Sequence, residues 1–195
     1  MSCPTNEYMD PRVRRTRILL QDAMRSLIQE KNYNEISVQD VTERATVNRA
    51  TFYAHYPDKQ ALLSSVVKAD FQSFMHNRFG EDQNCFGPDS LESLVAGIID
   101  FMGSRLDGCP ETVKDSIHVL TTALLEELHD LFVHWLEVSR PPAFEGHSPE
   151  MGATILSWGI YGAALRWSRG KRKRSPDQVA KSVVALITPA ALVAA

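Results

Sequence analysis

Residues 36–59 read ISVQDVTERATVNRATFYAHYPDK, two short helical patterns parted by a tight turn. Ser37 offers a side-chain oxygen to cap the first pattern, and Val38, Val41 and Ala45 fall three and four apart, so one face of Val38 to Ala45 packs inward. Thr46, Val47 and Asn48 then interrupt the periodicity. Asn48 is placed to cap a second helix from Arg49, which ends early because Pro57 disfavours helical backbone at Tyr56. Two short helices around such a turn make a helix-turn-helix over about 37–56, a unit that presents its second helix to the DNA major groove.

The side chains on the second helix suit that use. Arg49 and Thr51 stand in its first turn, and Tyr53, His55, Tyr56 and Lys59 follow with phenol, imidazole and ammonium groups that hydrogen-bond phosphate oxygens. Arg49 is the first candidate base reader, since a guanidinium bonds the two acceptors of guanine in a fork. Gln39 is the second. Asn48 is a weaker reader because capping engages its oxygen. Tyr53 and Tyr56 also fit a half-buried aromatic role, and Tyr56 suits both readings equally.

On these residues the chain resembles the TetR family of transcriptional regulators, whose signature runs through a helix, a short turn, a Thr-Phe/Leu-Tyr-x-His/Tyr-Phe/Tyr segment and a lysine. Here these are Thr51, Phe52, Tyr53, Ala54, His55, Tyr56 and Lys59. The resemblance covers the first third of the chain closely and the rest in layout. It implies base contacts by Gln39 and Arg49 and backbone contacts by Ser37, Thr51, Tyr53, His55 and Lys59. Two positions depart from the pattern: Thr46 and Ala50 stand where the family usually has glycine. Thr46 is therefore expected in a backbone conformation that glycine enters more easily.

Composition agrees with a globular regulator. The 195 residues are 44% hydrophobic and 23% charged, and the net charge is -3. That acidity is uneven: residues 1–60 carry nine Lys and Arg against eight Asp and Glu, the rest twelve against sixteen. Arg12, Arg14, Arg15 and Arg17 concentrate positive charge at a helix start, where the dipole disfavours it and an external phosphate would welcome it. Arg14 and Arg17 are added to the DNA-contact candidates on that ground; a solvated helix start is the bland alternative. Cys3, Cys85 and Cys109 match no disulfide framework or zinc spacing. With polar residues 1–11 and no long apolar run, a cytoplasmic protein without a membrane segment is expected.

The remaining chain reads as helices throughout, giving an all-α fold: a three-helix DNA-binding domain over 1–58, a connecting helix over 59–78, and a larger helical effector-binding and dimerisation domain over 79–195. The first long helix, Arg12 to Glu30, carries Leu19, Leu20, Ala23, Met24, Leu27 and Ile28 as its inner stripe. Breaks are expected at Gly80 to Asp89 and around Pro141 to Pro149, with helices at Leu91–Leu106, Glu111–Leu136, Pro149–Ser168 and Pro176–Leu192. The last two join small residues (Gly152, Gly159, Gly162) to large apolar ones (Trp158, Leu165, Trp167), a composition that suits a homodimer interface and equally an internal core. The resemblance implies the former, with a double-stranded operator as the other partner. The run Lys171 to Arg174 reads as a solvated loop between them.

The family likeness further implies a pocket for a small apolar or aromatic effector. Phe74, Phe101, Met102, His118, Trp135, Trp158 and Tyr161, with Phe71, are the candidate lining, and all fit plain core as well. An enzyme is the rival class. Glu126 and His129 form one Glu-x-x-His, and Glu127, Asp130 and His134 share a helical face, but a di-metal bundle site needs a second such motif. No catalytic residue, metal ligand or resident cofactor is assigned. The expectation is a ligand-responsive repressor acting as a homodimer; a DNA-binding regulator without an effector, or an activator, is the alternative.

Overall fold

The computed structural model describes residues 10–80, 88–107, 117–139, 146–170 and 174–187. Cys3, Cys85, Cys109, Lys171, Arg172 and Lys173 lie outside them, as does the expected end of the last helix beyond Ile187. Among the described residues the long elements are all α-helices: α1 (Pro11–Glu30), α2 (Val38–Ala45), α3 (Arg49–His55), α4 (Lys59–Phe79), α5 (Pro88–Asp107), α6 (Ile117–Ser139), α7 (Pro149–Arg169) and α8 (Pro176–Ile187). A single 3-10 turn, Tyr33–Glu35, joins α1 to α2. The chain divides into two compact units, residues 1–67 with 110–120, and 68–109 with 121–195, so the division falls inside α4 and α6.

The first unit is built on one apolar cluster. Leu20, Met24 and Leu27 from α1, Val41 from α2, Phe52 from α3, and Leu62, Leu63 and Val66 from α4 are all buried there, and Val119 at the start of α6 joins them. Leu19, expected on the inner stripe of α1, is instead 41% exposed, because the helix turns Leu20, Ala23, Met24 and Leu27 inward and leaves their neighbour outside. Caps define the short helices. Ser37 accepts from the Asp40 N–H while Asp40 accepts from the Ser37 N–H, a reciprocal box that satisfies two orphan donors of α2. The helix ends on Thr46 in the left-handed region (φ 56°), with the Thr46 N–H bonded to the Glu43 carbonyl and Val47 N–H to the Thr42 carbonyl. Thr46 is the non-glycine residue with positive φ among those described, as its turn position predicted.

In the second unit α5 lies against both α7 and α8. Leu91, Leu94, Val95, Ile98, Ile99 and Met102 of α5 are buried, together with Leu156, Ile160 and Ala164 of α7 and Ala180, Val183 and Val184 of α8. Gly103 makes one of these approaches feasible: a Cβ there would sit 2.7 Å from the Trp167 ring. Phe101 gathers Phe71 and Phe74 of α4 edge-on or tilted, at ring centroid distances of 5.5 and 5.1 Å. The outer face of α7 stays open. Met151, Ile155 and Trp158 stand there at helical spacing, each about 60% exposed, and Leu186 of α8 is 79% exposed.

Candidate nucleic-acid interface

The second helix of the motif, α3, is held by its first residue pair. Asn48 Oδ1 accepts from the Thr51 backbone N–H at 2.7 Å and from the Thr51 hydroxyl at 2.9 Å, so the cap fixes both the helix start and the Thr51 side chain. Phe52, fully buried, anchors the inner face. Rotation about that anchor leaves Arg49, Tyr53 and Ala54 outward, with Tyr53 half exposed and edge-on to the Phe52 ring at 5.3 Å. His55 is half-buried at the far end. Gln39 projects from the first turn of α2 and donates to Glu43 one turn on, at 2.8 Å. Arg14 is exposed on α1, whose start is capped by Asp10.

Three residues expected at phosphates point elsewhere. Tyr56 is a core residue, 5% exposed, tilted against Phe52, with its phenol oxygen accepting from Ser65 Oγ. The Pro57 boundary that ends α3 also swings Tyr56 under the helix. Arg17 is drawn inward over the Tyr56 ring, 5.6 Å from its centroid, with its Nε buried. Lys59 bends away from the outer face of α3. Its ammonium donates to the carbonyls of Tyr33, Asn34 and Ile36 at 2.9, 3.3 and 2.8 Å and lies 4.5 Å from the centre of the Tyr33 ring.

Ion pairs outside the expected set hold α2 in place. Arg44 grips the Glu30 carboxylate in a fork, both N–O distances 2.7 Å, and also reaches Ser26. That fork and the Ser26 hydroxyl hold the Glu30 carboxyl down at about 2. Lys31 meets Asp40 at 2.9 Å, and the Ser37 hydroxyl followed by Lys31 keeps Asp40 well below the usual carboxylate range. The Ser-x-x-Asp spacing at Ser37 and Asp40 was a readable capping signal; the partners of Arg44 and Lys31, across the α1–α2 connection, carried no local signal.

The residues expected around an effector differ in exposure. Phe101, Met102, Trp135 and Tyr161 are buried core, Phe74 is half-buried against Phe101, and His118 and Trp158 are exposed. Trp158 alone of that set lines a surface groove of about 470 Å³ within the second unit, beside Lys68, Leu125, Glu126, His129 and Asp130. Lys68 is ion-paired there with Glu126 at 3.1 Å and Glu127 at 3.4 Å. Among the described residues no group of three or more His, Cys, Asp or Glu gathers as metal ligands, and no helix is long and apolar enough to cross a membrane.

Comparison with known proteins converges on the same region. Residues 20–66 match the model for bacterial regulatory proteins of the tetR family. The chain is 28% identical over 135 residues to YxbF, an HTH-type transcriptional regulator of Bacillus subtilis (strain 168), over 64% of this chain and 36% of that protein, so it spans about a third of that relative's length. It is 24% identical over 172 residues to the HTH-type transcriptional repressor DhaR of Mycobacterium sp. (strain GP1), covering 82% of this chain and 86% of DhaR. Among solved structures it shares its fold with Thermus thermophilus FadR, a TetR-family repressor in complex with lauroyl-CoA, at TM-score 0.62 and 18% identity, over 88% of this chain and 92% of that one.

Proposed function

Because this chain is a transcriptional regulator of the TetR family, we propose that it acts as a cytoplasmic homodimeric repressor that reads an operator with α3 and releases it on binding a small molecule. The observation that carries the DNA reading is the capped, outward first turn of α3, where Arg49 is exposed on a helix fixed by Asn48 and Phe52. Arg49 and Gln39 are the base readers in this reading. Tyr53, His55, Thr51, Ser37 and Arg14 supply phosphate contacts that set the register.

The open face of α7 supports dimerisation. Met151, Ile155 and Trp158 form an apolar stripe, and a Cβ added at Gly162 beside it would meet nothing within 4 Å. A second copy laid on α7 and α8 removes that stripe from water and pairs two α3 helices with half-sites about 34 Å apart. The effector is taken to be apolar or aromatic and to bind within the second unit, where Phe71, Phe74 and Phe101 cluster. DhaR and the lauroyl-CoA complex of Thermus FadR, both described as repressors, support the sign of regulation. Whatever factor the effector changes DNA affinity by, DNA must change effector affinity by the same factor.

Titration of the protein against the duplex upstream of its own coding region, beside a scrambled duplex and at two salt concentrations, tests the reading. Selective binding that weakens with salt is expected. Equal binding to both duplexes, repeated with a library of random duplexes, contradicts it.

A further inference from the structure

Lys59 stands at the first position of α4, where an ammonium gains nothing from the helix, because the dipole there is positive. It turns instead toward the connector between α1 and α2. An ammonium has three donors, and here three carbonyls, of Tyr33, Asn34 and Ile36, receive them. These carbonyls run from the start of the 3-10 turn to its C-cap, and the Tyr33 carbonyl also accepts from the Ile36 N–H. Burial lowers the Lys59 ammonium from its ordinary range, with Asp40 opposing, and pushes the Tyr33 phenol beneath it up to about 12. The ring therefore meets the cation as a neutral aromatic face.

The geometry has a topological consequence. The chain leaves the connector at Ile36, 1% exposed, passes through the Ser37 cap, α2, the Thr46 turn and α3, and returns at Lys59. The 2.8 Å bond from Lys59 to the Ile36 carbonyl closes that excursion on itself. We propose that Lys59 is a positioning residue that pins the two ends of the helix-turn-helix together and thereby sets the angle of α3, with no direct contact to a phosphate. This rests on the reading above that α3 enters the major groove.

Arginine separates the two roles. It binds phosphate at least as well as lysine, yet its planar fork cannot converge on three carbonyls from one point. Lys59→Met and Lys59→Arg should both speed amide exchange over residues 31–41 about tenfold or more relative to α1, an arm that needs no DNA. With duplexes selected by the parent from a random library, both variants should lose selectivity over a scrambled duplex by about tenfold, the cost of a mismatched base pair. The slope of affinity against salt should stay at the parent's value. A Lys59→Arg variant that binds like the parent, while Lys59→Met weakens both duplexes equally with a slope shallower by about one, would overturn the proposal. Unchanged exchange in Lys59→Met would overturn it too. Should Lys59→Met fail to fold, Lys59→Gln, which keeps two donors, carries the same measurements. A parent that selects no sequence contradicts the DNA reading, and the exchange arm still decides the clamp.

Discussion

In the first unit the helices closest to the proposed DNA surface are the shortest, eight residues in α2 and seven in α3, whereas α5 and α7 of the second run to 20 and 21. Helices below about 12 residues do not stand alone in water, so α2 and α3 depend on what surrounds them. Besides the apolar cluster that takes Val41 and Phe52, directed polar bonds fix their positions: the Ser37–Asp40 box, the Asn48 cap, the Arg44–Glu30 fork and the Lys59 carbonyl cluster. The long helices of the second unit are set by shape, with Gly103 admitting Trp167 and Phe101 gathering two other rings. A reading head, the role proposed for the first unit, must keep outward side chains in register, and directional bonds do that; a regulatory body, the role proposed for the second, must repack, and apolar surfaces allow it.

The largest expected effect attacks the apolar cluster beneath α3. Phe52→Ala empties a fully buried site under α3 and should cost about 4 kcal/mol. All three tryptophans, Trp135, Trp158 and Trp167, belong to the second unit, so their fluorescence reports that unit while circular dichroism reports every helix. Helix loss ahead of the fluorescence change is expected; coincident transitions would mean that the regions differ in local chemistry but not in cooperativity.

Next in size, Gly103→Val should cost about 3 kcal/mol by forcing Trp167 from α5, and here the tryptophan signal should respond first. A smaller change runs the other way. Thr46→Gly removes a left-handed β-branched residue and should raise stability by about 1 kcal/mol in a denaturant titration, provided the turn stays as it is.

The smallest effect is one of pH. Glu30 titrates at about 2 in the folded chain against an ordinary 4.5, so its contribution is complete above 4.5 and lost as pH falls toward 2. Glu30→Gln should flatten the melting temperature profile across that window by lowering the plateau above pH 4.5 slightly while matching the parent near pH 2, a small difference since the pair is exposed to solvent.

Much of the head was legible because its signals are local. Ser37, Asn48 and Asp58 cap within three residues of themselves, and the Thr46 turn follows from where α2 must stop. The directions taken by Lys59 and Tyr56 were not legible, since they depend on a connector more than 20 residues upstream and on Ser65 of the next helix. Spacing places a side chain on a helix; the neighbours that receive it come from the tertiary fold. The aromatic residues of the second unit illustrate the same limit. Phe101, Trp135 and Tyr161 are buried, and composition and spacing alone suit a pocket lining and a plain core equally.

The central claim is that α3 reads bases through Arg49. Selection of binding sites from a random duplex library, run in parallel on the parent and on Arg49→Ala, tests it most directly. The parent should return a two-fold symmetric motif, and the variant should lose the preference for guanine at one position of each half-site while keeping the rest. The same motif returned by both proteins, guanine included, would contradict the account.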